Sequence, residues 1–96
     1  MTNRTIADWL TDYAHFLESQ TASLYRVRAY RRAAETMLKL DRPAADIVAE
    51  AGRQGLERLP GIGPRIAFTI EQLILTGEFF TGLCNDHSLI GRPAPN

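Results

Sequence analysis

The sequence predicts an all-α protein, a compact bundle of four to five helices. Three observations carry that reading. Apolar residues recur at three- and four-residue spacing along most of the chain. The breaks in this pattern fall at glycine, proline or small polar residues, as helix ends do. No segment alternates apolar and polar residues in the manner of a strand.

The first helix is predicted over residues 5–19, where Ile6, Trp9, Leu10, Tyr13, Phe16 and Leu17 share a face. Thr2, Asn3 and Thr5 are its candidate caps. Asp8 and Asp12 fall on the opposite face and read as solvated. Trp9 and Tyr13 read as core, and His15 as packing at the core edge. Residues 20–23 form a short turn, with Thr21 and Ser23 as caps for a second helix over residues 24–40. Its inward stripe is Val27, Tyr30, Ala34, Met37 and Leu38. Arg28, Arg32, Glu35 and Lys39 form its solvent face, and the three basic residues are either targetless or secondary phosphate contacts. Pro43 ends that helix, because the residue before a proline disfavours helical geometry.

A third helix is predicted over residues 44–51, with Ile47 and Val48 inward and Gly52 as its stop. A short helix over residues 55–59 follows, and then the tight turn Pro60-Gly61-Ile62-Gly63. Pro64 suits the first position of the next helix, where its missing N–H costs nothing. That helix turns Ile66, Ala67, Ile70, Leu73 and Ile74 inward and stops at Gly77. The predicted domain spans residues 1–80. Residues 81–96 form a C-terminal tail, partly packed or disordered, and Phe79 and Phe80 either complete the core or form a partner-binding patch.

With 96 residues, 45% hydrophobic and 23% charged, the chain has the size and composition of one soluble globular domain. No apolar run approaches the ~20 residues that span a bilayer, so no membrane partner is expected. The N terminus lacks signal-peptide character, and Cys84 is the only cysteine; both fit a reducing cytoplasm. Two histidines and one cysteine without a ligand cluster argue against a dedicated metal site, the Cys84–His87 spacing included. The formal net charge is zero but unevenly spread. Residues 26–65 hold nine basic residues against five acidic ones, a net +4, while each flank carries −2. An anionic partner responds to that local potential more than to the total.

The most informative stretch is Leu56-Glu57-Arg58-Leu59-Pro60-Gly61-Ile62-Gly63-Pro64-Arg65-Ile66-Ala67. Its glycines allow positive φ and close backbone approach, and Ile62 between them can plug the turn into the core. The following helix opens with unpaired N–H groups at its positive end, a natural phosphate site, and Arg65 adds a full charge beside it. Such an arrangement reads no base, so DNA binding through it is expected to be independent of sequence. A helix-helix corner that binds nothing is the bland alternative.

These residues resemble the helix-hairpin-helix pattern. More narrowly, two blocks resemble the small N-terminal, lyase-type domain of family X (polymerase-beta-like) DNA polymerases. One runs from Tyr25 to Ala34; the other covers residues 56–77, with Leu59-Pro60-Gly61-Ile62-Gly63 and Thr76-Gly77. The resemblance implies a role in DNA repair or maintenance and a partner DNA that is gapped, nicked or duplex, with a repair polymerase or nuclease chain as a further partner. It places a phosphate pocket at Tyr25, Arg26, Tyr30 and Arg65, joined by the hairpin amides of Gly61, Ile62, Gly63 and Ile66 and by Arg28 as an outer contact. One pocket lysine of the family falls on Glu57, a charge reversal. The backbone carbonyls of Glu57, Leu59 and Ile62 match positions that hold a monovalent cation, sodium or potassium; no other cofactor is expected.

The same resemblance argues against an enzyme. The family's Schiff-base lysine falls on Thr69, and imine formation needs a primary amine. The one lysine, Lys39, is predicted on a solvent-exposed helix end. No carboxylate cluster suited to two-metal phosphoryl chemistry is present. The rival class is a protein-interaction module that kept the fold and lost DNA binding; zero net charge, Glu57 and the phenylalanine pair favour it.

Overall fold

The computed structural model describes residues 2–20 and 23–78, which form four helices: α1 (Asn3–Ser19), α2 (Leu24–Lys39), α3 (Ala44–Glu57) and α4 (Pro64–Thr76). Among the described residues there is no strand, and no helix is long and apolar enough to cross a membrane. The α1 and α2 helices pack along one another, and α3 pairs with α4. The expected roles of Thr21, Phe79, Phe80, Cys84 and His87, and of the tail as a whole, lie outside the described residues.

The helix ends follow local chemistry. The Thr2 hydroxyl accepts from the Thr5 amide at 3.1 Å, and the Ser23 hydroxyl from the Tyr25 amide at 3.2 Å. Gly77 closes α4 in the left-handed region at φ 77°, donating its N–H to Leu73 O at 2.9 Å. The start of α3 is capped from afar, since Pro43 has no side chain able to do it. Asn3 Oδ1 accepts from the Ala44 amide at 2.7 Å, while Asn3 Nδ2 donates to Arg42 O at 2.9 Å.

One core runs through all four helices. Ile6, Trp9 and Leu10 from α1, Val27 and Met37 from α2, Leu56 from α3, and Ile70 and Leu73 from α4 are fully buried. Burial of side chains of this size stabilises by roughly 1.5–3 kcal/mol each before chain entropy is counted.

Two expectations are corrected and a third is refined. Leu38 is 59% exposed, because Ala33 and Ala34 take the inward positions of α2 and Met37 completes the stripe. His15 is exposed, lying off the α1 face formed by Ile6, Leu10, Tyr13 and Leu17. The expected stop at Gly52 is found: its φ of 65° and ψ of −157° are not helical, so α3 is two helices meeting at a kink there, the second ending at Glu57 rather than at Leu59. Glycine can adopt that conformation and redirect the helix without a separate loop. Beyond the kink, a Cβ on Gly55 would lie 2.8 Å from both Ala51 Cβ and Ile47 Cγ2, so the two halves of α3 press closely together.

Candidate functional site

The link from α3 to α4 is a hairpin stitched by its own backbone. Leu59 N–H donates to Leu56 O at 3.0 Å, and Ile62 N–H to Leu59 O at 3.2 Å. Gly61 sits at φ 76°, which the turn requires. Ile62, only 4% exposed, plugs the hairpin into the core. Gly63 is different: its backbone is extended at φ −87° and ψ 179°, and a Cβ there would meet nothing within 4 Å. Neither conformation nor internal packing demands glycine at 63. No side chain caps α4, and Pro64 lacks an N–H, so the amides of Arg65 and Ile66 are the helix's first outward donors.

The hairpin is clasped by α2. The Thr36 hydroxyl donates to Pro60 O at 2.7 Å. One turn earlier, Arg32 lies against Gly61 so closely that a Cβ on the glycine would be 2.8 Å from its Cγ, Cδ and Nε. Tyr25, Ala29, Arg32 and Thr36 thus form the α2 line that faces the hairpin. Helical periodicity assigned Arg32 to solvent, and the glycine contact was missed. The available signal was the pair of small residues, Ala29 and Thr36, interrupting a charged face at i, i+4 and i+11 from Tyr25.

Between α2 and the hairpin lies a cavity of about 350 Å³, and it gathers most of the expected residues. Tyr25, Arg26 and Tyr30 line it from α2; Gly61, Gly63, Arg65 and Ile66 line it from the hairpin and α4. Two expected residues are elsewhere. The Ile62 side chain faces the core, as expected, but the amide that was to bind phosphate donates to Leu59 O, and Arg28 is exposed outside the cavity. Ala29 and Pro64 also line it and were not anticipated.

The cavity is cationic and its donors are unspent. Among the described residues the ion pairs are Arg31–Glu18 at 2.7 Å and Arg42–Glu50, so no carboxylate holds Arg26 or Arg65. Arg26 is half-buried, and its Nη2 and the Tyr30 hydroxyl are enclosed without a hydrogen-bond partner. Burial pushes the Tyr30 hydroxyl up to about 12, helped by Tyr13, while Arg26, Thr69 and Arg65 pull the other way. Thr69 stands close to Tyr30 but donates its own hydroxyl proton to Arg65 O at 3.2 Å, and its geometry to Tyr30 falls short of a hydrogen bond. Both residues line the cavity, and neither donor is spent on another described residue of the chain.

Arg28, Arg32, Glu35 and Lys39 are exposed, as expected of a polar face, and Glu57 is also exposed beside the hairpin. Among the described residues no cluster of three histidine, cysteine or carboxylate side chains exists that could hold a metal ion. In comparison with known families, the family model described as helix-hairpin-helix domain matches residues 1–79, and domains of that kind commonly bind DNA without sequence preference.

Proposed function

The chain belongs to the helix-hairpin-helix family, and from that premise we propose that it holds DNA by backbone phosphates at the cavity between α2 and the hairpin. The observation that carries the reading is the convergence of Arg26 and Arg65, neither paired with an acid, on a cavity walled by the hairpin glycines. A phosphate there accepts from both guanidiniums and from the first amides of α4. Gly63 supports this, since an open position with ordinary φ gains from glycine mainly where another molecule approaches the backbone.

The resemblance to the N-terminal domain of family X polymerases extends the proposal to repair or maintenance of gapped or nicked DNA. In this reading the protein binds and does not cleave, because Thr69 offers no amine at the position of the family's lysine. Sodium or potassium at the carbonyls of Glu57, Leu59 and Ile62 is part of the same proposal. Neutral backbone oxygens suit a hard monovalent ion, and Leu59 O keeps a lone pair beyond the one that Ile62 N–H occupies.

The test is a fluorescence-anisotropy titration of labelled gapped DNA at about 50 and 200 mM salt, with an Arg26→Ala, Arg65→Ala double variant beside the wild type. Wild-type binding that weakens with salt and is lost in the variant supports the proposal. Absence of wild-type binding at low salt overturns it and favours the protein-interaction reading. One observation favours that second reading: Leu24, Leu38 and Leu75 are 65%, 59% and 63% exposed. Association through them would be insensitive to salt.

A further inference from the structure

A second cavity, of about 330 Å³, lies along α2 beyond the hairpin, lined by Arg32, Glu35, Thr36, Lys39, Leu40 and Pro60. It adjoins the first one. Arg32, which lines the second, packs against Gly61, which lines the first. The two hollows therefore lie side by side along the seam between α2 and the hairpin, with the Arg32–Gly61 contact between them.

Arg32 is unusual among the arginines of this seam. Its stem lies close against Gly61, which restricts the conformations open to it, and less side-chain freedom remains to be lost on binding. Thr36, one turn on, ties the hairpin to the same strip of α2. No carboxylate among the described residues pairs with Arg32 or Lys39. Glu35 lies between them and leaves the second cavity with one net positive charge. At about 1.5 Å per residue, Arg26 and Arg32 are about 9 Å apart along the α2 axis. That is the axial rise of about three nucleotides in one strand of duplex DNA.

We infer that the strand whose phosphate occupies the first cavity continues over Gly61 into the second, where Arg32 and Lys39 hold a further backbone phosphate and Glu35 weakens that hold. The inference builds on the proposed DNA reading and assigns a track and a direction to it. Arg28, although on the same helix, lines neither cavity and takes no part.

The experiment is the same anisotropy titration on gapped duplex DNA, read as the slope of log affinity against log salt. The Arg32→Gln, Lys39→Gln double variant is expected to lower the slope by about 0.9, the value for one phosphate contact on duplex DNA, and each single variant by part of that. Glu35→Gln is expected to tighten binding roughly twofold to fivefold, the range of a single exposed charge interaction. Arg4→Gln and Asp8→Asn, at exposed positions outside both cavities, should leave slope and affinity unchanged. A gain in Glu35→Gln cannot come from a damaged fold, so it separates the track from simple destabilisation. Wild-type binding that is lost in the Arg26, Arg65 variant but untouched by Arg32→Gln, Lys39→Gln and Glu35→Gln overturns the track and leaves the first site standing. Equal effects in the control variants overturn it as well, and no wild-type binding overturns both readings.

Discussion

Tyr13 meets Tyr30 edge to face, ring centroids 4.8 Å apart and planes inclined by 71°, so α1 fixes the floor of a cavity built by α2 and the hairpin. The pair anchors the Tyr30 ring through packing and leaves its hydroxyl orphaned. Ring and hydroxyl therefore serve different ends. Tyr30→Phe keeps the aromatic pair and removes a buried group without a partner. Thermal stability is expected to hold or rise, by up to about 1 kcal/mol, while DNA affinity falls. A melting curve and an anisotropy titration on one preparation check both; a clear drop in Tm would mean the hydroxyl has a stabilising partner.

The same group sets an alkaline limit. Its pKa is raised from 10.0 to about 12 in the fold, so the unfolded chain loses the proton first. The contribution of Tyr30 to stability is whole below pH 10 and declines as the pH rises towards 12. A difference of this size corresponds to about 2–3 kcal/mol. Denaturation by urea between about pH 9 and 11.5 should show a decline that is shallower in Tyr30→Phe. Parallel curves for the two proteins would exclude Tyr30 as its source.

Most of the scaffold was legible in the sequence because its signals are local. Ser23, Pro64 and Gly77 mark helix ends by their own chemistry, and the apolar spacing of α1 and α4 names their buried faces. The hairpin glycines and Arg65 were legible for the same reason. What periodicity could not show is contact between side chain and distant backbone. Arg32 is exposed, as its charge predicts, but the close approach of its aliphatic stem to Gly61 has no signal in the helical pattern. Leu38 counted as core because it is apolar, although alanines at 33 and 34 already fill the seam. Asn3, 41 residues from the amide it caps, leaves no trace in any local window.

That distant cap makes a prediction. Asn3 supplies the acceptor for Ala44 N–H and a donor to Arg42 O, joining the first turn of α1 to the start of α3. Asn3→Ala should cost roughly 1–2 kcal/mol in urea denaturation, a large effect for an exposed-side polar residue. Asn3→Asp keeps the acceptor and should recover most of it. A loss below a few tenths of a kcal/mol would show that water replaces the cap.

Chemistry on abasic DNA gives a further check. Borohydride treatment of wild type with abasic duplex is expected to trap no adduct beyond the slow background of the N-terminal amine. Thr69 is fully buried and carries no amine, and Lys39 is exposed on the far part of α2. Efficient trapping that disappears in Lys39→Arg would overturn the non-enzymatic reading and place a nucleophile at Lys39.

The two hairpin glycines should separate folding from binding. Gly61 is held at φ 76° and lies beneath the Arg32 stem, so alanine there meets both backbone strain and a neighbour 2.8 Å away. Gly61→Ala is expected to destabilise by about 1 kcal/mol or more and to displace Arg32, weakening DNA binding as a consequence. Gly63 has an extended backbone and open space around its Cα. Gly63→Ala should leave the urea midpoint unchanged, or raise it slightly through the unfolded chain. Its methyl group would stand between an approaching phosphate and the amides of Arg65 and Ile66, so affinity should fall although the fold is intact. Denaturation and anisotropy on both variants decide the matter. If Gly63→Ala binds DNA as the wild type does, the phosphate does not approach across Gly63, and the contact must be made by the arginine side chains alone.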